Sequence, residues 1–464
     1  MDKHLLNKIF LIPAFAAGFY GCNKTGADDP AKPNIVFIYA DDLGYGDLGC
    51  YGSENIHTPH IDYLAENGIR FTDFYATAAV CTPSRAGLLT GRYQVRSDMT
   101  HIEAPWVNKG LPQEEITIAE LLKNQGYTTS LVGKWHLGHK KGHLPQDAGF
   151  DSFFGILFSN DMNIRSNPSY GHRLKPEDLL SLWDDTVKVD QEVYQPTLTQ
   201  RLTCEASNFI AENKNHPFFL YLAHWAPHEP LHASAQFKGK SKEGLYGDVV
   251  QEMDHSVGEI IKTLKKYDLL DNTIIVFSSD NGARVVPQRF GEGEPTGSNG
   301  ILRSRKTFTF EGGIRVPTVF YWKDRTEKGK VISEPAIMTD WFPTFTSIAD
   351  AQIPEDRIYD GVDLSGLLFD EKKLPKRTFF FYKGDQLQAV RKGKWKYKIP
   401  DLPGEKEKNR NDFSWTDFNK TPVLFDLEKD PGEQNNLWKQ FPETAAMLQQ
   451  KIDSFHLSVQ NNNF

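Results

Sequence analysis

From Pro33 onward, short runs of apolar, β-branched and aromatic residues alternate with amphipathic stretches. That alternation predicts an α/β fold in which a mostly parallel mixed sheet is flanked by helices on both faces. The run 34–39, NIVFIY, is the expected first strand. A helix over 60–67, closed by Gly68, leads into an expected strand over 69–76. Thr117, with Glu120 three residues on, starts a helix that Gly126 ends before a strand over 127–132. Helices over 197–212 and 249–267 precede strands over 217–223 and 273–278. Beyond about residue 365 the pattern changes: 379–382, 387–391, 395–399 and 424–427 are short strands without intervening helices, and 443–455 is a closing helix. This predicts a main domain over 33–365 and, over 366–464, a small antiparallel sheet with one helix packed on it. The polar run 404–412 is expected to be a solvated loop.

The composition supports a packed core, since 39% of the 464 residues are hydrophobic and 12% aromatic. Fifty-three Lys and Arg against 61 Asp and Glu give a net charge of −8, which supplies no footprint for a nucleic-acid backbone. Ahead of the fold, the run 9–21 is almost purely apolar and follows Lys3 and Lys8. Its thirteen residues are too few to span a bilayer, so it reads as a secretion signal. Cys22 follows, then a polar linker over 23–32. The arrangement resembles a bacterial lipoprotein signal over 1–22, departing from it in lacking Leu three residues before the cysteine. The expectation is lipidation of Cys22, a membrane tether through that lipid, and export to the periplasm or outer membrane of a Gram-negative bacterium. The remaining cysteines, Cys50, Cys81 and Cys204, are odd in number and form no zinc spacing, so no disulfide framework is expected.

The chemistry collects where the apolar runs end. Asp41 and Asp42 follow the first run, Cys81 the second, Gly133-Lys134-Trp135-His136 the third, His224 and His228 the run 217–223, and Asp280-Asn281 the run 273–278. In an open parallel sheet the carboxyl ends of the strands share one edge, and ligands bind there. Five loops are therefore expected to build one site. Asp41, Asp42, Asp280 and Asn281 offer only oxygen donors, which suits Ca²⁺, or less well Mg²⁺, and not Zn²⁺. Taken alone, either pair is more simply a turn after a strand. Two pairs at one edge repel each other unless a metal or several basic groups sit between them. Arg85, Lys134, His136, His228 and Lys306 stand on loops expected to face that edge. Singly, each is more commonly a solvated or structural side chain. With a metal they suit an anionic tetrahedral ester, phosphate or sulfate, cations holding the oxygens and histidines moving protons.

Residues 81–92 read CTPSRAGLLTGR. Pro83 suits the first turn of a helix through Leu89, which sets Cys81 beside a positive helix end. A bare cysteine there is either an inert buried thiol or a thiolate nucleophile. The twelve-residue run resembles the signature of the formylglycine-dependent (type I) sulfatases, arylsulfatase-like members of the alkaline phosphatase superfamily, whose C-x-P-x-R cysteine is oxidised to an aldehyde. Other segments resemble the same family: DDLGYGDLG at 41–49 its first metal segment, GKWHLG at 133–138 its Lys/His catalytic segment, and APH at 226–228 its second catalytic histidine. SSDNG at 278–282 is similar to its second metal segment, and LRSRK at 302–306 with EGGIRVP at 311–317 to its substrate-lysine segment. The resemblance runs over roughly 33–440 and implies an alkaline-phosphatase-like core with a small C-terminal antiparallel subdomain.

Carried over residue by residue, the resemblance implies a mechanism. Residue 81, as hydrated formylglycine, is a geminal diol bound to Ca²⁺ together with Asp41, Asp42, Asp280 and Asn281. Arg85 favours its ionised oxygen, Asp280 accepts the proton, and that oxygen attacks sulfur in line. His228, aided by Lys306, protonates the leaving alcohol, while Lys134 and Lys306 neutralise sulfate oxygens. His136 then takes the proton of the second hydroxyl, expelling sulfate. A formylglycine-generating enzyme is implied as a partner. Export suits a sulfated saccharide substrate of galactose or N-acetylgalactosamine type. The loop 158–162 resembles the segment in which arylsulfatase-like relatives place a substrate-contacting serine, here Ser159, and is equally a turn after the run 153–157. Trp106, Trp183 and Trp415 stand in loop-like stretches and could stack on sugar rings. Two rival readings stay open: a phosphonate or phosphate diester hydrolase on the same scaffold, and a non-catalytic glycan-binding lipoprotein.

Overall fold

The middle strand of the main sheet, β1 (Asn34–Ala40), is buried along its whole length and feeds two cores at once. Ile35, Phe37 and Tyr39 enter one apolar cluster, and Val36, Ile38 and Ala40 enter another on the opposite face, as the two-residue repeat of a strand requires. Helices Cys81–Thr90, Ile118–Asn124 and Trp341–Ile348 cover the first face; Pro59–Glu66, Leu198–Glu212 and Gly244–Lys266 cover the second. A strand flanked by helices on both faces has no polar face to present, which is why NIVFIYA reads as a continuous apolar run.

The computed structural model describes residues 32–163, 165, 173–175, 179–285, 297–370, 372–401 and 420–461. The signal over 1–22 with Cys22, most of the linker, the loop 404–412 and Trp415 lie outside the described residues. β1 pairs in parallel with β8 (Phe218–Ala223) and β9 (Thr273–Ser279). β4 (Thr128–Lys134) and β5 (Ser152–Ile156) extend the parallel run beyond β8, and β6 (Leu182–Asp184) and β7 (Val187–Asp190) finish that edge as an antiparallel pair. Beyond β9, β10 (Thr318–Trp322) is antiparallel, and β2 (Ile69–Phe71) and β11 (Lys330–Ile332) return to the direction of β1. β3 (Phe74–Tyr75) and β12 (Ala336–Ile337) pair apart from this ten-stranded sheet. A second, antiparallel sheet joins β13 (Thr378–Lys383), β14 (Gln386–Lys392), β15 (Trp395–Lys398) and β16 (Val423–Asp426), with the helix Pro442–Asn461 beside it. The mixed, mostly parallel α/β sheet and the small C-terminal antiparallel sheet are the architecture the sequence predicts. The expected capping box is present too: Glu120 N donates to Thr117 Oγ1 (3.2 Å) and Thr117 N to Glu120 Oε2 (2.8 Å).

One expected element is broken. The strand over 69–76 divides at Thr72-Asp73 into β2 and β3, which belong to different sheets. Asp73 is held there by ion pairs with Arg315 and Arg391, and the Thr72 carbonyl accepts from Arg315 Nε (2.7 Å) and Tyr45 OH (3.1 Å). An apolar-rich window gives no warning that the polar pair inside it is claimed by arginines distant in sequence.

The register fixes the functional edge. Ala40 lies opposite Ser279, Tyr39 opposite Ala223, and Ala223 opposite Gly133, so Asp41, Asp280, His224 and Lys134 emerge at one level. Gly133 has φ +124°, and a Cβ there would lie 1.8 Å from the Ala223 carbonyl oxygen, so only glycine lets the strand deliver Lys134.

The C-terminal sheet is joined to the rest of the fold by apolar contacts, with Tyr75 of β3, Ala79 and Ile337 of β12 in one cluster with Phe379 and Phe381, and by a buried ionic cluster. Lys396 Nζ lies 2.8 Å from Glu311 Oε1 and 2.9 Å from Glu433 Oε1, all three side chains fully buried. Glu433 Oε2 also accepts from Glu311 N (2.7 Å), and Tyr75 OH donates to Glu311 Oε2 (2.7 Å). Burial pushes the Glu433 carboxyl up to about 7, with Lys396 opposing and Glu311 adding to the shift. Lys396 is the cation that bridges the two carboxylates, Arg315 reaching only Glu311 (3.4 Å), so its removal leaves Glu433 facing a second buried carboxylate. Lys396→Ala is therefore expected to cost about 3–5 kcal/mol in urea unfolding; a loss below about 1 kcal/mol would show that the cluster does not bind the two sheets together.

Candidate active site

Asp41, Asp42, Asp280 and Asn281 lie together at the carboxyl edge of the main sheet, all buried. Asp42 N donates to Asp280 Oδ1 (3.1 Å), and Asn281 Nδ2 donates to Asp42 Oδ1 (2.8 Å). Cys81 is the first residue of its helix, as Pro83 predicts, and is also buried. Asp41, Cys81 and Asp280 each bring a ligand atom within 4.8 Å of the others, and Asp41, Asp42 and His228 do the same. Asp41 Oδ1 and Asn281 Oδ1 are buried without a hydrogen-bond partner. Orphaned oxygens among buried carboxylates fit a hard divalent cation held by these four residues.

Three cationic side chains offset this negative charge. Lys134 Nζ sits 2.5 Å from Asp41 Oδ2, and Lys306 Nζ 2.6 Å from Asp42 Oδ1. Arg85, fully buried, donates to Asp280 Oδ2 from Nη2 (2.8 Å) and Nε (3.2 Å), and its Nη1 donates to the Lys134 carbonyl (3.1 Å). His228 Nε2 lies 3.7 Å from Asp42 Oδ2, and burial, then Lys306, lower its pKa against the pull of Asp42 and Asp41. Burial works against the Asp41 charge, yet Lys134, His228 and Arg85 overcome it and hold the carboxyl well below the usual range. Asp280 goes the other way: burial, then the Asp41 charge, push it up to about 7 despite Arg85. Burial also raises the Cys81 thiol, against Lys134 and Lys306. Of the two forms open to a bare cysteine, the protonated, unreactive thiol is the one this site favours.

The two histidines are oriented differently. His136 Nε2 lies 2.8 Å from the Glu103 carbonyl, which can only accept, so Nε2 carries the hydrogen and Nδ1, buried and without a hydrogen-bond partner, is the bare lone pair. Burial, then Lys134 and Arg85, hold His136 well below its usual pKa, so it is neutral and able to accept a proton. His228 Nδ1 faces Asn160 Oδ1 (3.0 Å) and the Glu229 carbonyl (2.6 Å), which places the Nδ1 hydrogen on that side and leaves Nε2 toward the carboxylates. The backbone is strained at this edge, with positive φ at Asp42 (69°) and His136 (60°) and at Ser304 (69°) and Thr307 (77°), which flank Lys306.

The structure thus brings Asp41, Asp42, Cys81, Arg85, Lys134, His136, His228, Asp280, Asn281 and Lys306 into one cluster. Ser159 joins it, with Oγ 3.3 Å from His228 Nδ1. His224 does not: it is buried at the same edge, its ring nitrogens have no hydrogen-bond partner, and burial lowers its pKa to about 4. Trp183 lies in β6, and Trp106 lies under Arg173, 5.5 Å from ring centre to guanidinium.

Several contributors escape sequence reasoning. Asn160 orients His228, and Glu103 acts through a main-chain carbonyl, which has no residue signature. Thr82 Oγ1 donates to the His136 carbonyl (3.0 Å) and accepts from Glu103 N (3.1 Å), tying helix to loop. Asp47 accepts from Gly44 N (2.8 Å), Tyr246 OH (2.6 Å) and Ser298 N (2.8 Å), fixing the loop that follows Asp42. A third acid in DDLGYGD was the available signal for Asp47.

Comparison with known proteins agrees with this geometry. Residues 33–351 match the sulfatase family model, and 374–463 match the model of the C-terminal region of aryl-sulfatase. Bovine arylsulfatase A is 38% identical, the match covering 92% of this chain and 87% of that one. Human N-acetylgalactosamine-6-sulfatase is 35% identical, with 89% and 83% covered. Among solved structures, Ps i-CgsB in complex with k-i-k-neocarrahexaose superposes with a TM-score of 0.76 at 31% identity, covering 92% of this chain and 93% of that one. With fold, buried site and relatives in agreement over nearly the whole described chain, the protein belongs to the arylsulfatase-like sulfatases of the alkaline phosphatase superfamily and is a sulfuric ester hydrolase.

Proposed function

We propose that this enzyme removes O-sulfate from a sulfated carbohydrate, with Cys81 matured to formylglycine by a dedicated maturing enzyme and Ca²⁺ held by Asp41, Asp42, Asp280 and Asn281. The observation that carries the reading is the placement of residue 81 at a helix start, within 4.8 Å of Asp41 and Asp280 and beside two buried lysines. The aldehyde would supply a hydrated nucleophile that an unmodified cysteine cannot, and the cation would supply positive charge against the ester oxygens. The chain's own residues do the rest. Lys134 and Lys306, already facing the carboxylates, offset the charge of the sulfate oxygens. His228, anchored through Nδ1, directs Nε2 inward to give a proton to the departing alcohol. His136, neutral with its lone pair on Nδ1, takes a proton at the other end of the cycle. Arg85 holds Asp280 and has no solvent exposure, so it sets the charge of the site without leaving it.

Carbohydrate as the substrate class is supported by two relatives: one bears the name N-acetylgalactosamine-6-sulfatase, and Ps i-CgsB was solved with k-i-k-neocarrahexaose. Ser159, beside His228, is a substrate-contacting residue in this reading. Export, with a lipid on Cys22, belongs to the same proposal and rests on the apolar run 9–21.

Maturation and reaction type are tested together. Mass analysis of the peptide carrying residue 81 is expected to show oxygen in place of sulfur, and the matured protein to hydrolyse an aryl sulfate in preference to an aryl phosphonate. Full activity in Cys81→Ala, or a preference for the phosphonate, would refute the proposal. A second expectation concerns His228: Asn160→Ala removes one of the two oxygens that face its Nδ1, leaving the Glu229 carbonyl, and should lower kcat/KM about 10-fold with the fold retained by circular dichroism. Unchanged kinetics would mean that Asn160 does not position the proton donor.

A further inference from the structure

A cavity of about 250 Å³ is lined by chain neighbours of catalytic residues and by none of the catalytic residues themselves. Its walls continue the segments that carry the catalytic residues. Lys140 lies four residues after His136, and Phe158 and Met162 flank Ser159. Adjacent Cα atoms are about 3.8 Å apart, so Phe158 stands directly next to the serine that touches His228. The wall also includes His139, Leu180, and Trp183 and Lys188 on β6 and β7.

The composition of this cavity is specific. Phe158, Met162, Leu180 and Trp183 give it an apolar lining with an aromatic surface, and among the described residues no carboxylate lines it. Trp183 and Phe158 are only half-buried, and the Phe158 ring centre lies 4.9 Å from that of His139, which also lines the cavity. Lys188 Nζ lies over the Trp183 ring, 5.1 Å from its centre, so the charge and the aromatic ring form one unit of the wall. Lys140 and Lys188 are both exposed, and neither has a carboxylate partner among the described residues. An apolar ring surface with two uncompensated ammonium groups at its rim matches a pyranose, apolar on its faces, that also carries negative charge.

We infer that this cavity binds the sugar unit joined to the one bearing the reacting sulfate, and that it selects a unit carrying an anionic group of its own, carboxylate or sulfate. This rests on the carbohydrate reading above and narrows it: Trp183 takes the ring, and Lys140 and Lys188 take the charge. The favoured substrate is then an oligosaccharide with charge on neighbouring units, while a small aryl sulfate reaches the catalytic cluster without entering the cavity.

The test uses the matured enzyme with four substrates: an aryl sulfate, a monosulfated disaccharide with a neutral neighbour, and two analogues whose neighbour bears a carboxylate or a second sulfate. The double variant Lys140→Ala/Lys188→Ala, altering two exposed side chains, is expected to raise KM for the charged disaccharides about tenfold with kcat retained, leaving the aryl sulfate and the neutral disaccharide unaffected. Trp183→Ala is expected to raise KM for all three disaccharides and not for the aryl sulfate. Comparing the two charged analogues tells carboxylate from sulfate as the preferred group. Lysine variants whose KM for both charged disaccharides stays within about twofold of the parent, or which lose aryl sulfate hydrolysis in equal measure, overturn the inference alone. A parent enzyme that cleaves the aryl sulfate and none of the disaccharides overturns the carbohydrate reading and this inference with it.

Discussion

Burying three carboxylates at the end of a sheet is expensive, and the rest of the site is arranged around that cost. Asp41, Asp42 and Asp280 are removed from water, and each is matched by a buried or nearly buried cation: Lys134, Lys306 and Arg85. The pairing is uneven, which is informative. Asp41 is held firmly ionised, whereas burial, and then the charge that Asp41 keeps, push the Asp280 carboxyl up to about 7. A group that can gain or lose a proton next to one that cannot is the kind of asymmetry acid–base chemistry requires. In the proposed reaction the lysines play a double part, since the charges that balance the carboxylates would also face an anionic ester.

Register does the positioning. Strands β1, β4, β8 and β9 end level with one another, so the last residue of β4 and the first residues beyond β1 and β9 bring Lys134, Asp41 and Asp280 together. Residues supplied from greater distances need fastening. Asp47 ties the first acidic loop to Tyr246 and Ser298, and Thr82 ties the helix of Cys81 to the loop whose carbonyl holds His136. The C-terminal sheet adds none of the clustered acidic or cationic side chains, but Lys396 anchors it to Glu311, in the segment that follows Lys306.

Much of this was legible in the sequence, for physical reasons. Buried parallel strands are uniformly apolar and end abruptly in charge, so the runs before Asp41, Gly133, His224 and Asp280 marked both the sheet and its functional edge. The helix after Cys81 could be read from Pro83, and the helix after Thr117 from its capping pair. What escaped was set by partners remote in the chain. The break at Thr72-Asp73 depends on Arg315 and Arg391, and the Glu103 contact uses a backbone atom. His224 shows the converse failure: its position after an apolar run matched that of the functional residues, yet it is a buried, neutral side chain outside the cluster.

The central claim is that these buried acids exist to hold a divalent ion against the side chain of residue 81. A crystal structure of the matured protein grown with calcium, with anomalous data collected to identify the ion, tests it most directly. The account predicts one calcium bonded to oxygens of Asp41, Asp42, Asp280 and Asn281 and to the modified side chain at position 81. A matured protein whose lysines still cover Asp41 and Asp42, with no ion bound among the four residues at saturating calcium, would contradict it.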